Sequence, residues 1–194
     1  MKTLISTITA LALFSFSTGS FAKGAENHLI SPGNVLGVVN GDWNNDGGMD
    51  RAILVAPTKI DNDVGLYIYL EENNNPKLEV FKPNLVWSGS FWGSTPSLKI
   101  TAAGSLQVVS QNQAIGRYRW SKTLTIAYRN GNFVVAGYTY DSYDTLDLSA
   151  GLSCDVNLLT GSGIKNKKKF RTAKQSTKLA DWTDQSLPKE CQES

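Results

Sequence analysis

Residues 124–137 read Leu124-Thr125-Ile126-Ala127-Tyr128-Arg129-Asn130-Gly131-Asn132-Phe133-Val134-Val135-Ala136-Gly137. Asn-Gly suits a type I′ turn, whose two central residues both need positive φ and whose twist matches that of the strands it joins. A two-residue loop at Asn130-Gly131 pairs Arg129 with Asn132, Tyr128 with Phe133, Ile126 with Val135 and Leu124 with Gly137. Side chains alternate across a strand, so this register sets the apolar residues of both arms on one face. Turn chemistry and hydrophobic pattern agree on a β-hairpin.

Outward from it, the segments 35–39, 52–56, 65–70, 78–81, 85–87, 98–101 and 106–110 are short, β-branched or aromatic, and bounded by Gly, Asn, Asp or Pro. Asn73-Asn74-Asn75-Pro76 is a turn. No stretch sustains a 3.6-residue apolar period with caps, and a short helix is expected only around residues 175–182. The expected fold is mainly β with little helix: antiparallel sheets, partial-propeller-like or a β-sandwich. No segment recurs as a full copy, which argues against an array of repeats.

The first 22 residues read as a signal peptide. Lys2 is the charged part, an apolar run extends from about Leu4 to Phe16, and Ser20-Phe21-Ala22 offers a cleavage site. That run is shorter than the roughly twenty apolar residues that span a bilayer. The mature chain, 194 less 22 or 172 residues, carries no integral membrane segment on this reading. It is expected in the periplasm or outside the cell as one β-rich domain (23–194) with a polar tail from about 161 to 194. Cys154 and Cys191 are the only cysteines, and in an oxidising compartment they are expected to form a disulfide that pins the tail.

Charge excludes one class of partner. Without Lys2, the 19 basic and 17 acidic residues become 18 and 17, far from the strongly basic balance of a nucleic-acid binder. The cluster Lys165, Lys167, Lys168, Lys169 and Arg171 could touch phosphates or anionic lipid, and reads best as a solvated, lysine-protected strand edge.

Residues 41–50 read Gly-Asp-Trp-Asn-Asn-Asp-Gly-Gly-Met-Asp. Oxygen side chains recur at alternate positions, Asp42, Asn44, Asp46 and Asp50, and Gly48 would offer its carbonyl between the last two. Calcium takes six to eight oxygens, which a tight loop supplies, and Gly47 would allow the sharp turn. The same residue types also make ordinary polar turns. An EF-hand is ruled out, because its twelfth position falls on Ile53 where a bidentate Glu is needed, and the residues after Asp50 form a strand rather than a helix.

The loop, then Ala52-Ile53-Leu54-Val55-Ala56-Pro57, then Gly65-Leu66-Tyr67-Ile68-Tyr69-Leu70, resembles one blade unit of the FG-GAP/VCBS repeat family over residues 35–71. The resemblance implies a calcium loop between two strands, followed by a third. The family builds propellers of several four-stranded blades, as in integrin α-chains. This chain has room for two or three, so the resemblance implies the local calcium hairpin rather than a closed ring.

Catalytic sets are sparse. His28 is the only histidine, and nothing near it suggests a triad or a zinc site. Glu71-Glu72 and the group Asp141, Asp144, Asp147 are candidate paired carboxylates for glycoside hydrolysis, or else surface turns. Trp87, Trp92, Trp120, Tyr138, Tyr140 and Tyr143 would stack on sugars or anchor a partner if exposed in a row, and pack into the core otherwise. The expected function is an exported, non-catalytic binding or interaction domain with a structural calcium loop, its partner an unknown protein or glycan. Glycan binding through exposed Trp/Tyr and an envelope glycoside hydrolase are the alternatives.

Overall fold

Short strands joined by tight turns pair first with their neighbours in sequence, and that rule is followed throughout. The computed structural model describes residues 30–58 and 63–192; the stretch expected as a signal peptide and His28 lie outside the described residues. β1 (Val35–Gly41), β2 (Asp50–Val55), β3 (Val64–Glu72) and β4 (Asn75–Val86) form a four-stranded antiparallel sheet in chain order. β5 (Ser97–Ile100), β6 (Leu106–Asn112), β7 (Tyr118–Arg129), β8 (Asn132–Asp144), β9 (Ser153–Asn157), β10 (Ser162–Lys165) and β11 (Lys168–Arg171) form a seven-stranded one, again in chain order. The fold is mainly β and sandwich-like, with one apolar core between the sheets. Among the described residues helical structure is confined to single 3-10 turns, one of them, Leu179–Asp181, inside the stretch where a short helix was expected.

The hairpin at Asn130-Gly131 forms with φ of 50° and 74° at its two turn residues. Arg129–Asn132, Tyr128–Phe133 and Ile126–Val135 pair as the turn dictates. Beyond them the expected register fails: Leu124 faces Tyr138, not Gly137, because Ala136 is an extra residue on β8. The bulge has a physical reason. Phe133 and Val135 are odd-numbered core residues, whereas Tyr138 and Tyr140 are even-numbered ones, and one inserted residue keeps all four facing inward beside Leu124 and Ile126.

Two segments separate in the sequence, 78–81 and 85–87, belong largely to one strand, β4. The ladder breaks between them, where Pro83 has no N–H to give and Asn84 takes φ of 50°. The boundary of the tail also moves. Residues 162–171, expected as its beginning, are the hairpin β10–β11, turned at Asn166-Lys167 with both φ positive. Lys168 and Lys169 therefore lie on the last strand of the sheet, where charge discourages edge-to-edge pairing.

After Arg171 the chain crosses between the sheets. Its backbone bonds to β8 where β9 has ended: Thr177 O accepts from Val135 N at 3.0 Å, and Lys178 bridges Val134. Leu179, Trp182 and Leu187 enter the core, and Cys191 is bonded to Cys154 of β9 with Cα atoms 5.6 Å apart. No helix among the described residues is long and apolar enough to cross a membrane.

Candidate functional site: an acidic loop and an aromatic cleft

Strand alternation decides the burial of the loop's last acid. Asp50, Ala52 and Leu54 share one face of β2, and all three are 0% exposed. A buried carboxylate needs donors. Asp50 Oδ2 accepts from Trp43 N at 2.8 Å, and Oδ1 accepts from Glu71 N at 3.1 Å. It thus ties the loop to β3. Gly41 lets Trp43 fold back, since a Cβ there would lie 3.0 Å from the indole. Trp43 then packs edge-on against Phe133, with ring centroids 5.9 Å apart, and plugs one end of the core.

The exposed part of the loop is wrapped by its own amides. Asp42 accepts from Asp46 N and Gly47 N, each at 3.1 Å. Asp46 accepts from Gly48 N at 2.7 Å and from Asn44 Nδ2 at 2.6 Å, and Asn44 Oδ1 accepts from Asp46 N at 3.2 Å. Gly47 has φ of 86°, as the sharp turn required. A Cβ at Gly48 would sit 2.8 Å from Asp46 Oδ1 and 3.1 Å from Glu71 Cβ.

All five residues expected as ligands, Asp42, Asn44, Asp46, Gly48 and Asp50, therefore share one loop, and a sixth oxygen group joins them. Glu71 Oε2 accepts from Met49 N at 3.1 Å across a sequence gap of 22 residues. The sequence reading paired Glu71 with Glu72 instead. Alternation on β3 sends them to opposite faces, and Glu72 bonds Lys77 at 2.7 Å. Nothing local in the sequence marks Glu71, because only the pairing of β2 with β3 brings it to the loop.

Asp42, Asp46, Asp50 and Glu71 have no cationic partner among the described residues. The donor set fits a hard cation in its chemistry, being all oxygen and mostly anionic. An amide bond uses one lone pair of a carboxylate oxygen and leaves another. In this arrangement the carboxylates face amides, and among the described residues no three acidic, His or Cys side chains converge on one metal-sized point.

The other carboxylates serve turns. Asp144 is buried, and accepts from Arg117 Nε at 2.6 Å and Leu146 N at 2.9 Å. The bond from Arg117, then that from the Leu146 amide, holds its carboxyl below the usual range against the opposing effect of burial. Asp147 is lowered by the Ser149 hydroxyl and amide, and Asp141 is exposed.

The aromatics divide. Trp92 is 96% exposed on the loop after β4, and Tyr143 is half-exposed. Tyr138 and Tyr140 are buried, their rings parallel within 8°. Trp87 and Trp120 are half-buried and lie 5.5 Å apart, tilted by 57°. In place of a flat exposed row there is a cleft of about 1390 Å³ between the end of β4, the strands β7 and β8, and the tail. Trp87, Trp120, Tyr138, Tyr140, Tyr143 and Trp182 line it.

Comparison with protein-family models, with curated proteins and with solved structures finds no match to the chain.

Proposed function

We propose that the chain is an exported, non-catalytic binding domain in which loop 42–50 holds a structural calcium ion. The observation that carries this reading is the gathering of Asp42, Asp46, Asp50 and Glu71 around one short loop with no cation among the described residues to offset them. Asp42, Asn44, Asp46, the Gly48 carbonyl and Asp50 would hold the ion, in keeping with the FG-GAP/VCBS resemblance. Bound there, calcium would neutralise the loop's self-repulsion and fix its shape. Trp43, rooted in the loop and packed on Phe133, passes that rigidity to the core.

Thermal melts and calorimetric titration test the reading. At free calcium a hundred times its dissociation constant, the wild-type chain gains about 2.7 kcal/mol. Magnesium substitutes poorly, because it prefers a small octahedral shell that keeps its waters. Asp46→Ala abolishes the calcium-dependent rise in Tm, and Asp141→Ala, outside the loop, retains it. Unchanged melts and flat titrations at millimolar calcium would reduce the loop to a polar turn.

A second reading, glycan recognition, draws support from the cleft. Indole and phenol rings in a concave wall offer flat apolar faces to sugar C–H groups and polar edges to hydroxyls.

A further inference from the structure

A buried N–H with no acceptor is rare in a folded chain, because it forfeits its bond to water without replacement. Among the described residues four buried side-chain groups lack a partner: Trp43 Nε1, Ser94 Oγ, Arg119 Nη1 and Trp182 Nε1. Two of them, Arg119 Nη1 and Trp182 Nε1, belong to residues that line the same cleft. Arg119 comes from β7, whereas Trp182 comes from the tail.

The charge around them is positive in excess. Lys82, Arg119, Lys122 and Lys165 line the cleft, against Asp63 and Asp184. Lys122 and Asp184 offset each other at 3.2 Å. Lys82 spends one proton on Ala180 O at 3.0 Å, and Arg119 has no salt bridge among the described residues. What remains is an excess of positive charge set among Trp and Tyr rings. Guanidinium and indole N–H both require an acceptor, and a guanidinium prefers an anionic oxygen in fork geometry.

We infer that the cleft between β4, β7, β8 and the tail binds an acidic saccharide, its carboxylate or sulfate taken by Arg119 and Trp182 and its ring faces by Trp87 and Trp120. This deepens the glycan reading above and makes no use of the calcium loop. Each part of the ligand answers a separate feature. The anion matches the excess cations, its oxygens match the two orphan donors, and the sugar ring matches the aromatic walls. Salt weakens the complex, since the cations of the cleft are half-buried rather than sealed from solvent.

Isothermal titration of residues 23–194 decides it, with three acidic probes: tetragalacturonate, a hyaluronan tetrasaccharide and a heparin-derived tetrasaccharide. Methyl-esterified tetragalacturonate and citrate separate charge from sugar. At least one acidic tetrasaccharide binds about tenfold or more tightly than both controls. Arg119→Gln weakens it about tenfold or more through loss of a charge-assisted bond. Trp182→Phe, which keeps an aromatic ring but removes the N–H together with the pyrrole half of the indole, weakens it by about three- to tenfold. Lys99→Gln, on β5 outside the cleft, leaves affinity unchanged. If Arg119→Gln fails to fold, the Trp182→Phe affinity decides alone.

Equal binding of the methyl ester overturns the anionic part of the inference, and equal binding of citrate overturns the saccharide part. Absence of binding by all three acidic probes, or full affinity in Trp182→Phe, overturns it whole. Titrations in excess calcium and in EGTA keep the two readings apart. Binding that survives EGTA stands whether or not the loop takes calcium, whereas a missing calcium response in the melts tells against the loop alone.

Discussion

Asp50→Ala separates the structural work of the loop from its proposed metal. Asp50 is fully buried and its two oxygens satisfy Trp43 N and Glu71 N. Alanine removes both acceptors and leaves two amides without partners at the edge of the core. Each such group costs about 1–3 kcal/mol, so the sum is about 2–5 kcal/mol after partial relaxation. For a domain of this size each kcal/mol moves Tm by about 2–4 °C, which gives a fall of about 4–20 °C. The melt is run in EGTA, where no metal contributes. Asp42→Ala is the comparison, because Asp42 is exposed and its partners Asp46 N and Gly47 N can turn to water. It should fall by no more than about 3 °C in EGTA, at roughly 1 kcal/mol or less. With calcium added, wild type gains stability while neither mutant does. Equal losses for the two mutants in EGTA would refute the view that Asp50 is an internal strut and the rest of the loop a separate, solvent-facing collar.

Three further outcomes follow from the fold. Gly131→Val should cost about 1–3 kcal/mol in urea unfolding. A Cβ at that position meets nothing within 4 Å, so the loss comes from φ of 74° alone, and an unchanged midpoint would disprove the turn geometry. Replacing Cys154 and Cys191 together by Ser should cost about 2–4 kcal/mol and make the tail after Arg171 the first site of limited proteolysis. Asp144 has its pKa depressed in the folded chain, so its contribution is present above the unfolded value of about 3.9 and is lost as pH falls through the folded one. Arg117→Gln removes the main cause and should narrow the difference in stability between pH 6 and pH 3, whereas an unchanged difference would assign the acid sensitivity elsewhere.

What the sequence made legible was local. Asn130-Gly131 and Asn73-Asn74 announce their turns because the φ they need is a property of those residues. Loop 42–50 is legible for the same reason, with its glycines and alternating oxygens lying within ten positions. The register beyond Ile126 was not, since the bulge at Ala136 answers to which face the core occupies, and no turn residue signals that. Residues 162–171 were counted with the tail even though their lysines read as a strand edge, because a lysine-rich edge strand has the composition of a solvated segment. The cleft was beyond reach for a related reason. Arg119 and Trp182 are 63 positions apart, and only the passage of the tail across β8 brings them to one cavity.

The chain-order pairing of both sheets bears on how the domain assembles in time. Each ladder among the described strands closes a short loop, so its entropic cost is small and hairpin can zip onto hairpin. Closures of longer range join the two sheets, as at Gly37 against Leu98 and Trp43 against Phe133, and join the tail to Lys82, Val134 and Cys154. The tail is therefore expected to dock onto strands already formed, as a late latch. Weakening it by Leu179→Ala should hasten unfolding and leave refolding nearly unchanged, because contacts made after the transition state appear only in the unfolding rate. That order of events predicts that residues 172–192 set the lifetime of the folded domain, and the turns before them the speed of its folding.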